Sequence, residues 1–271
     1  MESNMQKKVV VITGASSGIG KALAEKYVIE GWNVVLAARR FDRLQELKEK
    51  WHATEILAVK TDVTIEDDCR KLIEQTIEKF GRIDVLINNA GISMRALFHN
   101  ADLKVLHQVM NVNFWGTVYC TKFALPWLLK TKGSLVGVIS IGGYIGLPGR
   151  SGYSSAKFAV RGFLETIRTE NLKTGLHVLV AAPSFTTSEI RKTALVANGE
   201  QQGETPRDEA KMMSAEECAG HIYNAVHNRK RVLVLTFMEG KLTVFISRIL
   251  PAFIDKMLYR VFSREPDSPF K

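Results

Sequence analysis

Cysteine is scarce in this 271-residue chain, and the three that occur, Cys69, Cys120 and Cys218, are far apart and odd in number. That speaks against a disulfide framework and for free thiols in a reducing, cytoplasmic setting. Their positions match no metal-ligand spacing, so no metal site is expected. No uninterrupted apolar stretch reaches the ~20 residues needed to span a bilayer. The opening MESNMQKKVVVITGA joins basic residues to an apolar run, but the run leads straight into a glycine-rich loop and reads as a buried strand rather than a signal peptide. Internal repeats, low-complexity tracts and a linker between two domains are all missing. Acidic residues are fewer than basic ones, 28 against 37, for a net charge of +9. A basic balance can serve nucleic acid, a membrane or an anionic ligand. No lysine/arginine run interleaved with aromatics is present, and no nucleic-acid motif, so nucleic acid is not an expected partner.

What the chain does have is a regular alternation of strand and helix patterns. Val9–Ile12, Asn33–Leu36, Ile56–Val59, Ile83–Ile87, Ser134–Ile139 and His177–Ala181 read as strands, with Val232–Leu235 as a seventh. Helical periods lie between them, including a long helix over about 102–130 and another over 153–172. Apolar runs without strict alternation mark strands buried on both faces. Repeated strand–helix–strand units give an α/β fold, a Rossmann doubly wound parallel sheet of about seven strands with helices on both faces. One domain over 1–240, followed by an amphipathic helix and tail over 241–271, is the expected organisation. The polar, aperiodic stretch 198–211 reads as a mobile loop near the carboxyl ends of the strands.

The first strand–helix turn is Thr13-Gly14-Ala15-Ser16-Ser17-Gly18-Ile19-Gly20. Glycines spaced this way, between a β-branched strand and an amphipathic helix, allow the backbone to approach a pyrophosphate, and the helix then aims free N–H groups at it. The second strand ends in Ala38-Arg39-Arg40. An acidic residue there would bind the 2′-hydroxyl of NAD; arginine accommodates a 2′-phosphate, so Arg39 and Arg40 point to NADP. Asp62 and Val63, after the third strand, are placed to meet the adenine rim, although Asp62 serves equally well as a helix N-cap.

Tyr153 and Lys157 are four apart at the start of a helix and share a face. A lysine ammonium close to a phenol favours the phenolate and brings tyrosine nearer to a useful general acid/base. Ser140 closes the fifth strand on the carboxyl side, where ligands bind in such sheets.

Together these segments resemble a single-domain short-chain dehydrogenase/reductase, with the match covering about the first 190 residues. The glycine loop resembles the family's, with Gly14, Ser16, Ser17, Gly18, Ile19 and Gly20 against the cofactor. Asn88-Asn89-Ala90-Gly91 resembles the family's Asn-Asn-Ala-Gly, and Asn113 in Val112-Asn113-Phe114-Trp115-Gly116 resembles its active-site asparagine. The resemblance implies that Tyr153 gives or takes the alcohol proton and that Lys157 holds the nicotinamide ribose and tunes the tyrosine. It further implies that Ser140 positions the carbonyl and that Asn113 fixes a water in the proton path. The family's Pro-Gly-x-Val-x-Thr lid is replaced by Pro183-Ser184-Phe185-Thr186-Thr187-Ser188, so Pro183, Thr186 and Ser188 are carried over with a changed lid.

Gly142, Gly143, Tyr144, Ile145, Leu147 and Met94 are expected as largely apolar pocket walls, suiting a lipophilic ketone or alcohol. Between 241 and 263 a broad apolar face (Leu242, Phe245, Ile246, Ile249, Leu250, Phe253, Ile254, Met257, Leu258, Phe262) opposes Lys241, Arg248, Asp255, Lys256 and Arg260. Such a helix suits an anionic membrane surface, its own domain or a second subunit, and Pro251 should kink it. This tail resembles those of family members acting on sterols and long-chain lipids, including 3-ketosphinganine reductases. The combined expectation is an NADP(H)-dependent ketone reductase, with peripheral membrane contact and a homodimeric or homotetrameric state built on the two long helices. The alternative is a non-catalytic NADP(H) sensor on the same fold; a dehydratase or epimerase of the extended family would need a larger C-terminal domain.

Overall fold

The computed structural model describes residues 7–51, 55–205, 212–265 and 268–270. The strands are β1 (Val9–Thr13), β2 (Asn33–Ala38), β3 (Ile56–Lys60), β4 (Val85–Asn88), β5 (Ser134–Val138), β6 (His177–Ala182) and β7 (Val232–Val234). They form one sheet in the order β3-β2-β1-β4-β5-β6-β7, with every pairing parallel. The helices are α1 (Gly18–Ile29), α2 (Phe41–Lys50), α3 (Glu66–Phe80), α4 (Leu103–Met110), α5 (Gly116–Thr131), α6 (Ser151–Glu170), α7 (Ala215–His227), α8 (Thr243–Ile249) and α9 (Pro251–Ser263). This is the doubly wound parallel sheet that the alternation of patterns foretells.

Both faces of the sheet are covered. Val10 and Ile12 of β1 enter a core with Leu23 and Tyr27 of α1, Leu44 of α2 and Ile222 of α7. Val9 and Val11 enter a second core with Leu72 of α3, Leu128 of α5 and Leu164 of α6. Residues of a strand face alternate sides, so two apolar layers demand an unbroken apolar strand, which is why these strands show no polar alternation. Strand order reverses between β1 and β4, and the crevice beyond their carboxyl ends is where ligands bind in open α/β sheets.

Four details differ from the sequence reading. The helix expected over 102–130 is α4 and α5 joined through a π turn at Asn111–Trp115. The extra residue brings Gly116 against Val63, where a Cβ would stand only 2.7 Å from the valine side chain. Helix α7 is not among the elements expected from the periodicity. Its signal was Ser214-Ala215-Glu216-Glu217, a capping box, and the Ser214 hydroxyl does accept the Glu217 N–H at 3.0 Å. At the C-terminal end Pro251 does more than kink: Leu250 leaves helical geometry and two helices, α8 and α9, result. The stretch expected as a mobile loop is, up to Thr205, folded back on itself, with Gln202 N–H donating to Ala194 O (2.8 Å) and Val196 N–H to Glu200 O (2.9 Å). Its remainder, 206–211, lies outside the described residues, as do 1–6 of the opening segment and 266, 267 and 271 of the tail.

Replacing Ser214 by Ala leaves an orphan N–H at the start of α7 and should cost about 1 kcal/mol. Urea denaturation should show a lower midpoint with an unchanged slope; an unaltered midpoint would mean the cap contributes nothing.

Candidate active site

The glycine loop is shaped by close approach. Gly14 has φ +67° and Gly18 φ +50°, conformations that L residues seldom adopt. Gly20 has an ordinary backbone, but a Cβ there would meet the Gly14 carbonyl oxygen at 2.2 Å and the Asn89 amide nitrogen at 2.5 Å. No acidic residue lies in the first turn of α1, and Ser17, at its N-cap, makes no capping bond with its side chain. The unused N–H groups and the open, Cβ-free cradle fit a pyrophosphate. The Ser17 hydroxyl instead accepts from Arg40 Nη2 at 2.7 Å, and Ser16 Oγ accepts from Arg40 Nε and Nη2 at 3.2 and 3.1 Å. The loop is thereby tied to the end of β2. Arg39 is exposed beside it.

Asn89 supports the loop from β4. Its amide Nδ2 donates to the carbonyls of Thr13 (3.0 Å) and Gly14 (3.3 Å). Thr13 Oγ1 accepts the backbone N–H groups of both Asn89 and Ala90 at 3.0 Å. Thr13 was not singled out from the sequence as a site residue, and it proves central. Gly91 faces Asn113 and Lys157: a Cβ there would lie 2.9 Å from Asn113 Oδ1 and 3.4 Å from Lys157 Nζ. Asn113 sits in the π turn, buried, with its side chain bonded both ways to the backbone of Ile92 at 2.9 Å. Its carbonyl accepts from Thr117 Oγ1 at 2.9 Å. π turns recur at functional sites because they release a backbone group from the helical ladder.

Asp62 is not the N-cap of α3. Its carboxylate closes a short turn, accepting from Thr64 N–H (3.0 Å) and Thr64 Oγ1 (2.8 Å), while Ile65 occupies the N-cap of α3. Val63 is buried against Gly116 of α5.

Ser140, Tyr153 and Lys157 meet in one cleft with Ile19, Asn89, Gly91, Leu147, Pro183, Phe185, Thr186, Ser188 and Ile190. Tyr153 and Lys157 project from the first two turns of α6, and Ser140 follows β5. Lys157 is buried and donates to Val138 O at 2.9 Å, with its ammonium 5.8 Å from the centre of the Tyr153 ring. Burial pulls the lysine pKa down from its ordinary value to about 8. Burial pushes the Tyr153 phenol up, offset by a hydrogen bond with Ser140 and by the charge of Arg150. This corrects the simple sequence argument: desolvation outweighs the cations here, and the cation that lowers Tyr153 is Arg150 rather than Lys157. Arg150, Arg191 and Ser93 also line the cleft, so its wall is less uniformly apolar than expected. Of the expected wall residues Leu147 lines it, whereas Met94 is fully buried beneath and Ile145 packs towards α9. In the changed lid, Thr186 Oγ1 bonds Ser184 O (3.3 Å), Ser184 Oγ bonds Glu239 (3.2 Å), and Ser188 stands over Gly18.

The family profile for short chain dehydrogenase matches residues 8–198. The chain is a short-chain dehydrogenase. A Dictyostelium discoideum protein described as dehydrogenase/reductase SDR family protein 7-like is 32% identical over 97% of this chain and 84% of its own. The Arabidopsis thaliana 11-beta-hydroxysteroid dehydrogenase 1A is 37% identical over 84% of this chain and 68% of its own. Among solved structures, an alcohol dehydrogenase from Thermococcus sibiricus complexed with 5-hydroxy-NADP superposes with a TM-score of 0.74 at 26% identity, covering 85% of this chain and 96% of that one. A Burkholderia phymatum short chain dehydrogenase/reductase shares the fold, with a TM-score of 0.77 at 22% identity over 96% of each chain. Membership makes the chain an oxidoreductase acting on CH–OH/C=O groups.

Removing a cation beside a phenol raises its pKa. Arg150→Met should therefore move the base-limited limb of alcohol oxidation to higher pH, while reduction near neutrality, served by the protonated phenol, changes little. Superimposable pH–rate profiles would show that Arg150 does not act on Tyr153.

Proposed function

We propose that this dehydrogenase uses NADP(H) and acts in the direction of ketone reduction on a lipophilic, long-chain or steroid-like substrate. The convergence of Ser140, Tyr153 and Lys157 beside the glycine loop carries the reading. The Tyr153 hydroxyl donates to the substrate oxygen as it gains charge, and the Ser140 hydroxyl gives a second hydrogen bond to the same atom. The raised pKa of Tyr153 keeps it protonated at neutral pH, the form a general acid for reduction requires. Lys157 holds the ribose side of the nicotinamide nucleotide, and Asn113, through its carbonyl, anchors the water that replaces the proton. The bound nicotinamide supplies or takes the hydride. Gly14, Ser16, Ser17, Gly18, Ile19 and Gly20 cradle the pyrophosphate, Asn89, Ala90 and Gly91 line the ribose side, and Pro183, Thr186 and Ser188 form the lid. Arg39 and Arg40 take the 2′-phosphate. For the substrate class the support is Leu147, Phe185 and Ile190 in the cleft together with the steroid dehydrogenase named among the relatives.

A panel of ketones, from small carbonyls to 3-ketosphinganine and ketosteroids, offered with NADPH or NADH tests this reading. Turnover should be faster with NADPH and with the lipophilic ketones. Tyr153→Phe should lose at least about 100-fold in rate yet still bind NADPH. Activity with NADH alone would overturn the cofactor assignment, and tight NADPH binding without turnover of any ketone would favour a sensor.

Peripheral membrane contact belongs to the same reading. Ile254, Leu258 and Phe262 of α9 turn inward, while Phe245, Ile249, Leu250 and Phe253 remain exposed. A neighbouring groove between α6, β7 and α8 is lined by Arg161, Arg168, Arg231, Lys241 and Arg248, with Glu165 the one acidic residue among its described lining. Apolar side chains flanked by cations suit an anionic lipid surface. Ile249→Asp with Phe253→Asp should abolish sedimentation with phosphatidylserine vesicles without unfolding the protein; a wild type that never sediments would end the proposal. Self-association through α5 with the π turn before it and through α6, where Trp115 of the turn and Phe158 of α6 are exposed, is the expected oligomeric contact.

A further inference from the structure

Two arginines near the end of β2 converge on one carboxylate from the far side of the sequence. Arg40 Nη1 lies 2.7 Å from Glu189 Oε2, and Arg43 Nη1 lies 2.9 Å from Glu189 Oε1. The remaining donors of Arg40 engage the hydroxyls of Ser16 and Ser17. Glu189 therefore sits in a nest of two guanidiniums and, through them, two serines, the donor set that a phosphate would use. The arginines hold its carboxyl well below the usual range, at about 2, so it is an anion throughout the neutral range.

The neighbours of Glu189 tie this nest to the cleft. Ser188 stands against Gly18 of the glycine loop, and Ile190 and Arg191 line the space beside Tyr153. Glu189 thus straps the segment after β6 across the phosphate loop. We infer that Glu189 is an internal substitute for the 2′-phosphate of the cofactor, competing with it for Arg40 and Arg43 and so setting how strongly the enzyme favours NADP over NAD. The inference rests on the proposed NADP preference. Arg40 has its Nη1 aimed at Glu189 and its Nε and Nη2 at the serines, so a phosphate arriving at Arg40 meets nitrogens already engaged. A phosphate and a carboxylate sharing two guanidiniums also repel each other. Part of the phosphate's affinity is consequently offset by displacing Glu189, whereas a nucleotide without the 2′-phosphate leaves the strap undisturbed.

Glu189 is partly exposed, and Glu189→Gln keeps its size while removing its charge. Calorimetric titration of wild type and E189Q with 2′,5′-ADP and with 5′-AMP tests the idea without turnover. The wild-type ratio of the two affinities tests the NADP assignment. The change in that ratio tests the role of Glu189. E189Q should bind 2′,5′-ADP at least about three-fold more tightly, with 5′-AMP changed by less than that. Weaker binding of 2′,5′-ADP by E189Q would make Glu189 a scaffold that orients the arginines and overturn the inference. An equal gain for both nucleotides, or no change in the ratio, overturns it as well. A wild-type preference for 5′-AMP would defeat the NADP reading, and a ratio that still moves in E189Q would leave the competition standing. No binding of 2′,5′-ADP by either protein defeats both.

Discussion

One hydroxyl and one amide hold this structure at the place where its sheet must open. The β1–β4 ladder runs from Val10↔Val85 to Ile12↔Ile87 and stops there. Beyond it the two chains diverge towards opposite faces, and their backbone groups need new partners. Thr13 Oγ1 and the Asn89 side chain supply them, binding the N–H groups of Asn89 and Ala90 on one side and the carbonyls of Thr13 and Gly14 on the other. The path of the glycine loop follows from that clamp, because Gly20 passes so close to Gly14 and Asn89 that only a hydrogen fits between them. Arg40 then fastens the loop to β2, and Asn89 and Gly91 set the floor on which Lys157 and Asn113 meet. The crevice is thus a defect in the sheet, stabilised by side chains in place of the missing ladder.

Desolvation governs the chemistry of the cleft. Tyr153 and Lys157 are both buried, and each is displaced towards its neutral form. The two shifts have opposite signs on the pKa scale but one cause, the cost of charge in a medium that solvates poorly. The Val138 carbonyl accepts from the lysine and holds its place without neutralising it. Arg150, three residues before the tyrosine, works against the burial of the phenol.

The fold and the position of the glycine loop were legible because short-range chemistry sets them: β-branched runs punctuated by closely spaced glycines, and Tyr153 and Lys157 one helical turn apart. The helical face that unites that pair is a local property. The π turn at Asn111–Trp115 was not legible, since a five-residue departure hardly disturbs a periodicity of 3.6 averaged over a long helix. Helix α7 is marked by the Ser214–Glu217 cap, but that signal is short and directly follows an aperiodic polar stretch. Glu189 carried no local signal at all, since its meaning arises from a contact across the fold, 149 positions from Arg40, whereas Arg150 acts on Tyr153 from only three residues away. The apolar face of the last helices shows the same limit: its width was readable, while its division into Ile254, Leu258 and Phe262 inside and Phe253 outside depends on what lies beneath.

The C-terminal helices also bear on how the protein is made. Ile145 and Leu147, behind the catalytic cleft, are covered by Ile254, Leu258 and Phe262, and Arg95 is paired in the interior with Glu265, 170 positions later in the chain. At ribosomal rates of roughly 5–20 residues per second, Arg95 waits on the order of ten to thirty seconds for its partner. The parallel sheet is complete by β7, before that partner is synthesised. Until the C-terminal helices are made, the apolar side chains of Ile145 and Leu147 behind the cleft lack the residues that cover them.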